Sequence, residues 1–166
     1  AKPPTQLKEQ LLTTIAPLEK GRKASEEDAA QVEGIVKKLE NANPTKSPLK
    51  SPLINARWEL LYTTSQSING KSSPAIIRSI GPIYQYIDTN NLTARNEEFF
   101  SPLRITRAVD AELSPVSSSF TNVQFKEFQI GPFKFPAPES AKGALDTTYL
   151  DKNMRISRGD KGNLFV

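Results

Sequence analysis

Asp151, Arg155 and Arg158 are spaced four and three residues apart near the end of the chain. One carboxylate and two guanidiniums, carried on short strands joined by a turn, suit a charge-assisted brace across the end of a sheet. An Arg155 turned inward would instead offer a cation to a ligand's headgroup or carbonyl oxygen. Asp151 and Asp160 are carboxylates that could act as acid and base, but sequence proximity alone pairs them. The chain has no histidine and no cysteine. That removes histidine-dependent triads, thiol nucleophiles, disulfides and the usual nitrogen and sulfur ligands of zinc and most transition metals. No catalytic residue, metal site or cofactor is assigned, and the chain reads as a non-enzyme.

Three motifs carry less than their spelling suggests. Arg158-Gly159-Asp160 matches an adhesion tripeptide, yet glycine beside aspartate is ordinary hairpin chemistry. Asn91-Leu92-Thr93 is a glycosylation sequon only in a secretory compartment. Ser47-Pro48-Leu49-Lys50 has the S-x-x-K spacing, but Pro48 and Pro52 oppose the helix that such a Ser–Lys pair requires.

The elements that position these groups fall into three segments, together the size of one domain. Residues 1–42 read as a helical hairpin: Leu7, Leu11, Ile15 and Leu18 share one face, Pro17 ends that helix, and Ser25 caps a second helix with stripe Val32, Ile35, Val36 and Leu39. Residues 43–55, with Pro44, Pro48 and Pro52, read as an extended connector. From residue 56 the period falls to two, which predicts strands near 56–64, 82–88, 92–98, 103–112, 119–130, 144–150, 154–157 and 163–166. Residues 66–79 and 131–143 read as mobile loops.

The fold class is therefore mostly β with N-terminal helices (α+β): an antiparallel barrel of about eight strands over 56–166, closed fully or left open at its last edge. Such a barrel is filled by side chains or holds one small ligand. No apolar run exceeds three residues, far short of a membrane-spanning helix. The net charge of +4 comes from cations spread along the chain, not from a nucleic-acid-type basic run. Ala1 in place of an initiator Met suggests a trimmed chain, and Val166 falls partway through an expected closing strand.

Candidate lining residues follow from strand parity. Trp58, Leu60 and Tyr62 share a face in the first strand, as do Tyr84 and Tyr86 in the second, the latter opposed by Ile83, Gln85 and Ile87. Phe125 and Phe128 fall on opposite faces under strict alternation, which predicts a bulge near Lys126. Ile76, Ile77, Phe133 and Phe135, flanked by Lys71, Arg78 and Lys134, read as a surface for lipid or protein.

Three stretches carry a resemblance to a known family. Residues 56–64 (ARWELLYTT), 80–88 (IGPIYQYID) and 145–166 resemble, in residues and order, the plastid lipid-associated proteins, or plastid fibrillins. Trp58 matches the tryptophan of a lipocalin-like G-x-W signature, with Ala56 where glycine is usual, and Asp151 and Arg155 match the family's acidic and basic positions. The resemblance implies a lipocalin-like barrel and a plastid setting on plastoglobules, thylakoids or in stroma, reached through a transit peptide. It also implies handling of isoprenoid, quinone or fatty-acid lipids under light and oxidative stress.

Two functions are then in competition. In the first, the barrel binds a small hydrophobic ligand without chemistry, the helical hairpin covering one mouth and Trp58, Leu60, Tyr62, Tyr84, Tyr86, Phe125 and Arg155 forming the site. In the second, a solidly packed barrel coats lipid particles or docks a plastid lipid-biosynthesis enzyme. An enclosed apolar volume of a few hundred cubic ångströms, on the order of an ordinary ligand pocket, would favour carriage.

Overall fold

The computed structural model describes residues 2–166. Two helices lead the chain, α1 (Pro4–Ile15) and α2 (Glu26–Asn41). Proline at the start of α1 loses no intrahelical bond, because the first amides have no partner. Pro17 cannot continue the ladder, and α1 passes into a 3-10 turn over Ala16–Leu18. Ser25 closes a capping box on α2: its hydroxyl accepts from the Asp28 amide at 3.0 Å and its own amide donates to the Asp28 carboxylate at 2.9 Å. Between the helices, Gly21 adopts φ +98°, and a Cβ there would lie 2.2 Å from the Thr63 carbonyl oxygen. Both the left-handed backbone and the close approach demand glycine.

Nine strands follow: β1 (Arg57–Glu59), β2 (Ser79–Asp88), β3 (Thr93–Phe100), β4 (Ile105–Pro115), β5 (Phe120–Ile130), β6 (Phe133–Pro136), β7 (Lys142–Leu150), β8 (Arg155–Gly159) and β9 (Leu164–Phe165). Eight of them pair antiparallel in the order β1-β2-β3-β4-β5-β7-β8-β9, while β6 folds back on the end of β5. The sheet curls into a half-barrel, open at its edges. Residues following β1 lean across that gap, with the Leu61 and Tyr62 amides both donating to the Val166 carbonyl at 2.8 and 3.3 Å.

Several sequence expectations need correction here. The strand predicted over 56–64 is regular only from Arg57 to Glu59, because the shared Val166 acceptor breaks its alternation. The loop predicted over 131–143 contains β6, held by Phe133–Ile130 and Phe135–Phe128 pairs. The loop predicted over 66–79 carries α3 (Gln66–Asn69) and a 3-10 turn, Ala75–Ile77. The connector is not extended: Pro48–Lys50 and Pro52–Ile54 are 3-10 turns, since proline pre-sets their φ.

The two faces of the sheet bury two separate cores. On the convex side, Leu7, Leu11, Val32 and Leu39 of the helices pack on Tyr149, Ile156, Leu164 and Val166. The hairpin thus lies on the outside of β7–β9, not over a mouth as expected. Its seat is fixed by ion pairs: Arg158 to Glu33 and Glu40 at 2.8 and 2.9 Å, and Lys8 to Asp151 at 2.7 Å. On the concave side, Ile54, Ile87, Leu113 and Leu150 form a smaller core with Leu49, Trp58, Ala94 and Val123. The connector therefore fills one end of the hollow, the Leu49 amide bonding the Ser118 carbonyl at 2.9 Å.

Candidate functional site

Register aligns the residues that face the hollow. Trp58 lies opposite Gln85, Gln85 opposite Asn96, Asn96 opposite Val109, and Ala111 opposite Phe125. The ladder between β4 and β5 slips at Asp110/Ala111, so Lys126 has no partner and Phe125 and Phe128 turn to the same side. Their rings stack 6.5 Å apart, and the bulge predicted near Lys126 is found. Beyond them Phe135 pairs with Phe128, and Phe133 with Ile130. An apolar track thus runs from inside the hollow out to a rim.

Arg155 stands at the inner end of this track. Its Nη2 donates to the Gln85 side-chain carbonyl, and its guanidinium lies 5.6 Å from the Trp58 ring centre. Gln85 is held for this by its own amide, which donates to Asn96 Oδ1 at 2.8 Å. The Arg155 Nη1 is buried and has no hydrogen-bond partner among the described residues. Burial without an ionic partner pushes the Arg155 pKa down to about 10, which still leaves it cationic at neutral pH.

The space beside Arg155, partly open to solvent, measures about 40 Å³. It is lined by Ile54, Ile87, Val109, Leu113 and Phe125 among others, with Gln85, Asn96, Thr121, Thr147 and Arg155 as the polar members and no acidic residue. A space this size holds about three water-sized groups.

The sequence-predicted residues divide. Trp58, Phe125 and Arg155 meet at the hollow. Tyr62 does not: the break after β1 turns it into the helix-side core, where it is 1% exposed and burial raises its pKa. Leu60 is half-buried, its amide bonded to the Ile83 carbonyl at 2.9 Å, and does not line the space. Tyr84 and Tyr86 face outward, Tyr84 under Arg57 at 4.4 Å and Tyr86 38% exposed, because Ile83, Gln85 and Ile87 take the inner face. Sequence reading missed Gln85 and Asn96; a glutamine flanked by Ile83 and Ile87 on one face was the available signal.

Asp151 does not join Arg155 either. It accepts from Lys8, from the Tyr149 hydroxyl at 2.6 Å and from the Asn153 and Met154 amides at 2.8 Å. Burial opposes its ionisation, but these bonds outweigh it and hold the carboxyl below the usual carboxylate range. Of the surface residues, Ile76, Ile77, Phe133 and Phe135 are exposed. Arg107 draws the two groups together: its Nη2 donates to the Ile77 carbonyl at 3.2 Å, and it pairs across the sheet with Ile130, which pairs with Phe133.

The PAP_fibrillin family model matches residues 5–135 and 129–166. The chain belongs to the PAP_fibrillin family. This member is 41% identical over 161 residues, 96% of its length, to the probable plastid-lipid-associated protein 5, chloroplastic, of Arabidopsis thaliana, covering 67% of that protein. It is 28% identical over 214 residues to plastid lipid-associated protein 2, chloroplastic, of Brassica campestris, covering 96% of this chain and 67% of that one. It is 31% identical over 216 residues to plastoglobulin-1, chloroplastic, of Pisum sativum, covering 96% and 60% respectively. This PAP_fibrillin chain is a plastid protein, as the chloroplastic names of its relatives indicate. No solved structure matches it. The two segments of the family match overlap at 129–135, the β5–β6 hairpin that carries the aromatic rim.

Proposed function

We propose that this protein associates with plastid lipid particles and there binds, without catalysis, a single hydrophobic amphiphile in the hollow of its half-barrel. The observation that carries this reading is the track from a half-buried cation, Arg155, whose Nη1 is shut off from solvent, through Phe125 and Phe128 to the exposed Phe133 and Phe135. The head enters the enclosed space beside Arg155, Gln85 and Trp58. The chain lies along the aromatics and leaves at the rim, where Ile76, Ile77, Phe133 and Phe135 meet the lipid phase. Burying hydrocarbon contributes about 0.8 kcal/mol per methylene, so a chain only half covered still holds the ligand. The names of the relatives, which specify lipid and plastoglobule, support the setting.

A second reading is favoured by the small enclosed volume, about 40 Å³ instead of a few hundred. In it the protein coats the particle, or docks a lipid-biosynthesis enzyme, with no resident ligand. Native mass spectrometry of protein purified from a plant host, with extraction of whatever is released, separates the two. A stoichiometric isoprenoid or acyl ligand supports carriage; a clean apoprotein that still binds lipid vesicles supports coating and overturns the ligand site.

A further inference from the structure

Arg155 lacks what every other inward or braced arginine of this sheet has. Arg95 is paired with Glu97 and Asp110, Arg107 with Glu98, and Arg158 with Glu33 and Glu40. Among the described residues, Arg155 has no carboxylate partner. Its one hydrogen-bond acceptor is the neutral Gln85, its Nη1 is shut off from solvent without a partner, and no acidic residue lines the space it faces. Arg155 is half-buried as a residue, but its Nη1 is shut off from solvent, and natural proteins pair a cation whose head is placed so. The missing negative charge has a place to sit, since the enclosed space begins at the guanidinium.

We propose that the amphiphile bound in the hollow carries a carboxylate head, which pairs with Arg155, in preference to a neutral quinone, alcohol or ester. This rests on the ligand-site reading above. Charge chooses the carboxylate over a diphosphate. A single guanidinium balances one negative charge, whereas a diphosphate brings two or three into a hollow with no second cation among its lining residues. The geometry favours the planar fork of arginine on a planar carboxylate, with Nη1 and Nη2 as donors and Gln85 released to accept or donate as needed. Neutral heads would leave the buried charge unbalanced, which is the basis of the selectivity.

The test compares hexadecanoic acid, its methyl ester and hexadecanol at pH 7.5, each below its aggregation threshold, by native mass spectrometry and fluorescent-probe displacement. Wild-type protein is expected to bind the acid at least tenfold tighter than the ester or the alcohol. In Arg155→Gln that margin between acid and ester collapses to under threefold. Equal binding of acid and ester by wild type overturns the carboxylate assignment and leaves the ligand site standing. Binding of none of the three overturns both. The comparison within wild type needs no variant, so it stands even if R155Q does not fold.

Discussion

Arg155 and Arg158 are three residues apart on β8 and project from opposite faces of the sheet. Arg158 reaches outward to α2, its Nε and Nη2 meeting Glu40 at 2.9 Å each and its Nη2 meeting Glu33 at 2.8 Å. Arg155 reaches inward to a hollow that offers it no carboxylate. One strand thus holds a cation that fastens the helices and a cation left for something else, and the consequences of removing each are opposite in sign.

Removing Arg158 leaves Glu33 and Glu40, seven residues apart on one face of α2, without their shared partner. The hydrogen bonds Arg158 donates to Glu40 first, and then those it donates to Glu33, hold the guanidinium firmly protonated against the effect of burial. The cluster is partly exposed, so its worth lies between that of a surface pair and a buried one. Arg158→Ala is expected to cost about 2 kcal/mol. That corresponds to a fall in Tm of roughly 4–8 °C, read by calorimetry. Glu40→Ala in the same background should cost little more, because the two act as one unit; additive losses would show that they do not.

Removing Arg155 should do the reverse. Arg155→Met keeps the bulk and the contact with Trp58 while deleting a buried charge without an ionic partner. The ligand-free protein is expected to become more stable by about 1 kcal/mol, because the desolvation cost disappears and only one bond to a neutral acceptor is lost. Urea unfolding of delipidated protein measures this. A destabilisation of that size would mean that Arg155 is a structural post and not a receptor.

Parity along the strands made part of this legible. The clash of register between Phe125 and Phe128 announces the bulge at Lys126, and the four-residue spacing of Leu7, Leu11 and Ile15 gives α1. Trp58 and Arg155 are recognisable because large or charged groups on short closing strands have few places to go. Tyr62 was not legible, since its face depends on two amides sharing the Val166 carbonyl, a contact 100 or so residues distant in sequence. The outward turn of Tyr84 and Tyr86 was equally hidden: two tyrosines suit either face, and only pairing with β1 decides it. Strand β6 escaped notice because Phe133-Lys134-Phe135-Pro136 is too short for periodicity to speak.

Acid should loosen the helical hairpin before it loosens the sheet. Burial works against ionisation of both Asp151 and Glu40, but Lys8 and Tyr149 around the first and Arg158 around the second outweigh it, so both folded pKa values lie below normal. Groups with depressed folded pKa values contribute stability that is present above the unfolded pKa, about 4, and is lost as pH falls through the folded value. Urea midpoints should therefore hold from pH 7 to 5 and drop below pH 4. Asp151→Asn should lower the midpoint at pH 7 and flatten that drop; an unchanged acid limb would remove Asp151 from the account.

Glycines give a sharper contrast. Gly21→Ala meets both a left-handed φ and the Thr63 carbonyl oxygen, so it is expected to destabilise by about 3 kcal/mol or more and to separate the hairpin turn from the segment after β1. Gly34 lies inside α2 with nothing within 4 Å of the added methyl, so Gly34→Ala should stabilise by about 0.5–1 kcal/mol. Thermal melts of the two variants side by side, differing by one methyl each, should move in opposite directions.

The rim offers a separation of binding from folding. Phe133 is 66% exposed and Phe135 49%, and their strand pairs only with the end of β5, off the main path of the sheet. Changing both residues to serine should leave stability within about 1 kcal/mol, since little apolar area returns to water on unfolding. A lipid phase, by contrast, would bury most of both rings, at about 1.5–3 kcal/mol for each fully covered side chain, so partition onto phospholipid-coated oil droplets should fall at least tenfold. Flotation of wild type and the double variant measures it directly. Equal flotation would move the lipid-facing surface away from this rim, and with it the exit of the ligand's chain.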